Sequence, residues 1–312
     1  MSNSLSAVLD IGSNTIRLLI ANTQQEQTFE KIHYQHHIAR LGEGLQQSGR
    51  LGDAGQQRAM TIFSQLVEVC QSHGVEAGDI IAVATAAVRE AENGQDFVTQ
   101  VREQTGLNIQ IISGEVEAKL ALSGAMLGLP SHIGLDMLLF DIGGGSTEFT
   151  RVQHGEIVDS ISMKLGVVRL TESCVRSNPV SVDDYQAMKD VVLAQLQEVE
   201  SFWGGNQLRP KHLVGTAGTV TTIAAMVQEM VAYDAAKIDG LQMSAQMFAD
   251  LRDDLLVKTN EERLAIPALE KGREDVIVAG LAIVDVMMNH WGFEALISVD
   301  SGLLVGLLGY KS

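Results

Sequence analysis

Cysteine is scarce in this chain. Only Cys70 and Cys174 occur in 312 residues and no CxxC pair is present, which argues against a disulfide framework and a cysteine-ligated zinc site. Cys70 falls on the apolar face of an expected helix and reads as a reduced core thiol. Aromatic residues are 4% of the chain against 46% hydrophobic residues in all, so the cores must be aliphatic. Positive charge is short as well. The 22 Lys and Arg face 39 Asp and Glu, a net charge of −17, which opposes non-specific binding to nucleic acid or to an anionic membrane. A phosphorylated substrate stays open, because backbone amides, a few arginines and a bound metal can supply local positive potential. No apolar run approaches the roughly 20 residues of a membrane span. No basic region leads into an apolar stretch and a cleavage site. A cytoplasmic protein is expected. The chain has no GxxxxGKS/T, no GxGxxG after a strand and no GxSxG, which sets aside P-loop NTPases, dinucleotide-binding folds and α/β-hydrolases.

One pattern occurs twice. The apolar run Leu5 to Leu9 leads into Asp10-Ile11-Gly12-Ser13-Asn14-Thr15, and Met137 to Phe140 leads into Asp141-Ile142-Gly143-Gly144-Gly145-Ser146-Thr147. Each copy reads as a buried strand, a carboxylate, a tight turn of small residues and a second strand. Similarity at this spacing indicates two halves on one plan, and 312 residues favour two domains. Small residues let backbone N–H groups approach an anion, and a carboxylate at the strand end can hold a divalent cation. Asp10, Asp141 and Glu148, beside the two loops, are candidates for metal and water positioning. A third small-residue loop, Gly215-Thr216-Ala217-Gly218-Thr219, lies between a strand and a helix and suits an anion at a helix N-terminus; taken alone, a plain tight turn is the commoner reading. Arg17 and Arg89 can each pair with phosphate or lie solvated. Glu115 and Glu117 open a helix, where acids complement the helix dipole. His33, His36 and His37 lie close together but lack a second ligand cluster, and are expected at the surface.

Strands are expected over 6–12, 15–22, 80–84, 109–112, 212–214 and 296–299. Helices are expected over 56–73, 97–104, 115–127 and 273–290, from 181 to about 203, and from the third loop to about 231. Residues 128–134 form a break. Strands alternating with helices make an α/β protein.

Taken together, Leu9 to Leu18, Arg40 to Leu45, Thr85 to Ala91, Ile112 to Ala118, Asp141 to Glu148 and Gly215 to Thr219 resemble the exopolyphosphatase/guanosine pentaphosphate phosphohydrolase (Ppx/GppA) family over nearly the whole chain. The resemblance implies an α/β fold of two actin-like ATPase (ribonuclease H-like) domains, here 1–124 and 125–312, flanking a phosphate-binding cleft. It implies Glu117 as catalytic base with Arg89 beside it. It implies phosphate contacts from Ser13, Asn14, Arg17, Gly143, Gly144, Gly145, Ser146 and Thr147 and from Gly215, Thr216, Gly218 and Thr219. The metal residues would be Asp10, Asp141 and Glu148. Members release the terminal phosphate of polyphosphate or convert guanosine pentaphosphate to the tetraphosphate. They use Mg²⁺, some need K⁺, and they often form homodimers. The alternatives are a regulatory binder of guanosine tetra- or pentaphosphate and an ATP-dependent kinase of the same superfold. Three departures stand out. The HD-type domain of longer members does not follow, which bears on processive action. Position 116 is Val where many members carry an acid. The stretch Asp300-Ser301-Gly302-Leu303-Leu304-Val305-Gly306 lacks the family's Arg and Glu.

Overall fold

The computed structural model describes residues 5–25, 28–204 and 210–310. The chain forms two units, Met1–Leu127 with Leu303–Ser312, and Gly128–Gly302. Unit 1 holds a five-stranded sheet of β1 (Leu5–Ile11), β2 (Thr15–Gln25), β3 (Thr28–Ile38), β4 (Ile81–Ala84) and β5 (Ile109–Ile111), in the order β3-β2-β1-β4-β5. Unit 2 holds β6 (Asp136–Ile142), β7 (Thr147–Gln153), β8 (Glu156–Met163), β9 (His212–Thr216), β10 (Gln242–Ser244) and β11 (Ala295–Ser298), in the order β10-β11-β9-β6-β7-β8. The repeat read from the sequence is thus a repeat of topology. In each unit three antiparallel strands run in succession, and the first then pairs in parallel with a later strand.

Strand alternation decides which side chains face which layer. In unit 1, Ala7, Leu9, Ile11, Leu18 and Ile20 join a core with Phe63 and Phe97 of the helices Asp53–Ser72 and Gly94–Thr105. Val8, Leu19 and Val83 point the other way, into a cluster with Leu120, Ala121, Leu303, Leu304 and Leu307. Asp10 shares its parity with Val8, and Arg17 with Leu19, so both belong to the face covered by the helix Gly114–Gly128. In unit 2, Leu138, Phe140, Ile142 and Phe149 build the main core, which leaves Asp141 and Glu148 on the opposite face.

The expected division at 124/125 differs at its end. Residues 303–310 return to unit 1, because Leu303, Leu304 and Leu307 bury into the Val8 and Leu19 cluster. Gly306 permits this: a Cβ there would stand 2.0 Å from the Leu120 carbonyl oxygen. Leu304, where the resemblance led to an expected arginine, is therefore a core residue. The third-loop helix ends at Val227, short of 231, and the last long helix spans Ile277–Trp291, leaving Arg273 in the turn before it. The three histidines lie on β3 and are half-buried rather than at the surface. His33 packs against the His73 ring at 5.2 Å, and His36 stands opposite Arg17.

No helix among the described residues is long and apolar enough to cross a membrane. Both cysteines are buried free thiols, and burial pushes Cys70 up to about 11. Arg263 is fully buried in unit 2. Its Nε donates to the Leu255 carbonyl at 3.0 Å, and its Nη1 donates to the Asn260 side chain at 3.0 Å and the Glu274 carbonyl at 3.2 Å. Arg263→Ala leaves buried acceptors without a donor, and each such loss costs about 1–3 kcal/mol. Urea denaturation of this variant is expected to show a loss of about 2–5 kcal/mol.

Candidate active site

Loop one is the turn between β1 and β2. The Gly12 amide donates to the Thr15 carbonyl at 2.9 Å, closing the turn. The loop carbonyls are tied back to the following segment. Asn14 O accepts from the amides of Ala39 and Arg40 at 2.9 Å each, and Ser13 O accepts from Gly42 at 2.8 Å. A Cβ on Gly42 would come within 3.0 Å of the Ser13 Cβ, which explains a glycine there. The amides of Ser13 and Asn14 donate to no protein acceptor among the described residues. Asn14 is 6% exposed, and neither its Nδ2 nor its Oδ1 finds a partner among the described residues. Buried polar groups are normally paired, so the loop is built for a ligand that brings its own donors and acceptors. Asp10 and Arg17 stand opposite each other in the ladder, and Arg17 Nε donates to Asp10 Oδ2 at 2.9 Å.

Glu117 reaches the same face of unit 1 from the helix Gly114–Gly128. The Val116 amide bonds the Ser113 hydroxyl at 3.3 Å, which starts this helix. Residues two apart on a helix do not share a face. Glu115 therefore points out and pairs with Lys119 at 2.7 Å, which holds its carboxyl below the ordinary range. Glu117 points in and is 6% exposed. Arg89, from the short helix Ala86–Glu90, donates through Nη1 to Glu117 Oε2 at 2.9 Å and to the Ile112 carbonyl at 3.0 Å. The two residues expected to share the chemistry are thus in contact.

Loop two, between β6 and β7, repeats loop one in detail. Gly143 N donates to Ser146 O at 2.9 Å. The Gly143 carbonyl accepts from Val167, and the Gly144 carbonyl from Val168 and Arg169, at 2.9 to 3.3 Å. Gly166 lets the helix Val167–Cys174 come this close, since a Cβ there would meet Gly144 backbone atoms at 2.4 Å. The amides of Gly144, Gly145 and Ser146 donate to no protein acceptor among the described residues. Thr147 differs from the expected phosphate contact in one respect. Its hydroxyl donates to the Leu165 carbonyl and so staples the loop. Loop two also departs from loop one in charge. The positions of Asp10 and Arg17 are taken here by Asp141 and Glu148, two buried carboxylates opposite each other. Ser162 donates to Glu148 at 2.6 Å. Like charges directly opposite on a sheet oppose each other, and a hard cation relieves that. Asp10 belongs to unit 1 with Arg17, and Asp141 and Glu148 belong to unit 2. No group of three metal-ligating side chains is present among the described residues.

In loop three the residues part in role. Gly215 makes room for the Phe140 ring, 2.6 Å from where a Cβ would stand. Thr219 Oγ1 donates to the Ile142 carbonyl at 3.2 Å and ties this loop to loop two. Thr216 is fully buried and its Oγ1 lacks a partner among the described residues. Ala217 holds a left-handed φ of 70°, which opens the helix Ala217–Val227. Arg273 escapes a reading of the sequence. Its guanidinium lies over Gly218, and a Cβ there would meet Nη2 at 2.4 Å. It is buried and pairs with Glu270 at 3.2 Å. Only the requirement for glycine at 218 could have signalled it.

A sequence model of the Ppx/GppA phosphatase family matches residues 19–310. The chain is 31% identical to a bifunctional 3-dehydroquinate synthase/phosphatase of Fusobacterium nucleatum, over 98% of this chain and 46% of that protein. The chain thus spans about half the length of that relative. It is 32% identical to exopolyphosphatase 2 of Mycobacterium tuberculosis, over 91% of this chain and 90% of that protein. The crystal structure of an exopolyphosphatase from Cytophaga hutchinsonii superposes with a TM-score of 0.88 at 26% identity, over 99% of each chain.

Proposed function

This chain belongs to the Ppx/GppA phosphatase family, and from that premise we propose that it is an exopolyphosphatase, hydrolysing the terminal phosphoanhydride of inorganic polyphosphate. The observation that carries the reading is the pair of strand–turn–strand loops. In each the carbonyls are tied back while consecutive amides stay unclaimed among the described residues. Oriented amides of this kind hold phosphate oxygens. The relatives named as exopolyphosphatases give the substrate class.

In this reading Glu117 accepts a proton from a water molecule. The water oxygen forms a bond to the terminal phosphorus, and the bridging P–O bond breaks with its electron pair going to the shortened chain. Orthophosphate and the shortened polyphosphate result, and the proton on Glu117 returns to solvent. Arg89, Arg17 and the loop amides neutralise charge on the phosphoryl oxygens, and phosphoryl transfer depends mainly on such positioning. Asp141 and Glu148 would hold Mg²⁺, whose charge would stabilise phosphate oxygens; two opposed carboxylates fit a hard, oxygen-preferring cation. Glu148→Gln keeps the side chain's volume but removes its charge, and is expected to lose most of the rise in thermal midpoint that Mg²⁺ gives the wild type. Thermal denaturation with and without Mg²⁺ checks this.

Guanosine pentaphosphate carries the same kind of terminal bond and is the second candidate substrate. The deciding measurement is phosphate release with Mg²⁺ and K⁺ from short polyphosphate, long polyphosphate, guanosine pentaphosphate and ATP. Release from polyphosphate is expected. No release from any of them by the folded protein would overturn the hydrolase reading. The same reading carries a homodimer and a cytoplasmic location, which sedimentation and cell fractionation test.

A further inference from the structure

We propose that Arg169 is a positioning residue for loop two: through Nε it holds the Gly145 carbonyl and so aims the Ser146 amide at a substrate phosphate. This rests on the reading of loop two as a phosphate loop. In a trans peptide the C=O and the following N–H point in opposite directions. Whatever grips a loop carbonyl therefore also sets the amide of the next residue. Three successive carbonyls of loop two are gripped by the first residues of the helix Val167–Cys174. Gly143 O accepts from the Val167 amide at 3.0 Å. Gly144 O accepts from the amides of Val168 at 2.9 Å and Arg169 at 3.3 Å. Gly145 O accepts from Arg169 Nε at 3.1 Å. The amides that follow these carbonyls are those of Gly144, Gly145 and Ser146, which donate to no acceptor among the described residues. Ser146 is 3% exposed, and a buried amide is normally paired.

Loop one shows why the third grip matters most. The turn bonds, Gly12 N to Thr15 O and Gly143 N to Ser146 O, make Asn14 the counterpart of Gly145. Asn14 O is held by two backbone amides, those of Ala39 and Arg40, at 2.9 Å each. Backbone grips survive a side-chain substitution that keeps the fold. Among the described residues, Gly145 O is held by a side chain instead, and glycine gives its own peptide the most freedom to turn. The donor is a guanidinium, so the bond is charge-assisted. A polarised Gly145 carbonyl also strengthens the Ser146 N–H as a donor.

The test turns on where each replacement side chain carries its donor. Arg169→Gln keeps an N–H at the place of Nε and removes the charge. Arg169→Lys keeps the charge but carries its donor one bond further out. Arg169→Met puts a methyl group at the place of Nε. All three retain the backbone amide that bonds Gly144 O. Two readouts are taken: kcat/KM for phosphate release from short polyphosphate with Mg²⁺, and the nitrogen-15/proton resonance of the Ser146 amide in the free proteins. Arg169→Met and Arg169→Lys are each expected to lose about 10²-fold in kcat/KM, the cost of a displaced positioning group, and to shift the Ser146 resonance. Arg169→Gln is expected to stay near wild type in both. Equal loss in Arg169→Gln and Arg169→Met would overturn the proposal. Activity kept by Arg169→Lys and lost by Arg169→Gln would also overturn it, since Arg169 would then act on the substrate by charge. An unmoved Ser146 resonance in Arg169→Met would do the same. Arg169→Leu replaces Arg169→Met if the latter does not fold. Absence of phosphate release by the wild type would end the hydrolase reading alone; the Ser146 resonance, read without substrate, still decides whether Arg169 sets that amide.

Discussion

Glu117→Gln is expected to lower turnover of polyphosphate by about 10²–10⁴-fold, the usual worth of general-base assistance, while KM changes little. Gln keeps the volume of Glu and can still accept the Arg89 hydrogen bond, so the helix Gly114–Gly128 and its packing should survive. What it loses is the ability to take a proton. The loops that hold phosphate do not include residue 117, so ground-state binding has no reason to weaken. A loss in kcat with KM preserved marks an interaction made in the transition state. Single-turnover phosphate release, beside a binding measurement with a methylene-bridged analogue, separates the two. Near-normal turnover in the variant would take the base role away from Glu117. Glu115→Gln is the matched control, because that side chain is exposed and engaged with Lys119.

Gly166→Ala is the second large effect expected, although residue 166 touches no substrate in the proposed reaction. Gly166 has a φ of −139°, which any residue adopts, so the need for glycine is one of space. A Cβ there would lie 2.4 Å from both the carbonyl carbon and oxygen of Gly144 and 2.5 Å from the Gly145 carbonyl carbon. These are backbone atoms that no rotamer change can move. Loop two must shift, and with it the unclaimed amides of Gly144, Gly145 and Ser146. A misplacement of about 1 Å in a positioning element can cost 10²-fold in rate, and overpacking costs about 1–3 kcal/mol of stability. The variant is expected to fold with a lowered midpoint and to lose about 10²-fold or more in kcat/KM. Gly52→Ala, where an added Cβ meets nothing within 4 Å, is expected to behave as wild type. Equal activity in the two variants would show that the loop tolerates displacement.

The sequence pattern carried what depends on neighbours along the chain. Alternating apolar residues before Asp10 and Asp141, and small residues after them, are local features, and the two hairpins they announced are present in matching topology. The start of the helix at Ser113-Gly114 and the separation of Glu115 from Glu117 onto different faces also follow from local geometry; which of the two turns inward does not. Gly42 and Gly166 stood in the sequence as two glycines among 30; their purpose, to let a second segment bind the loop carbonyls, appears only once the chain has folded back. The same holds for charge. Asp10 and Asp141 look alike in sequence, yet one faces Arg17 and the other Glu148. Arg273 reached Gly218 from 55 positions away, and Leu304 joined a core begun at Val8. By itself the sequence determined the α/β class and the doubled loop, because both are written in short-range periodicity and spacing, and it carried the family through the resemblance of its motifs. Only the tertiary structure decided which carboxylate bonds Arg89, which two carboxylates stand opposite each other and to which unit the last residues belong, because those depend on contacts between segments distant in the chain.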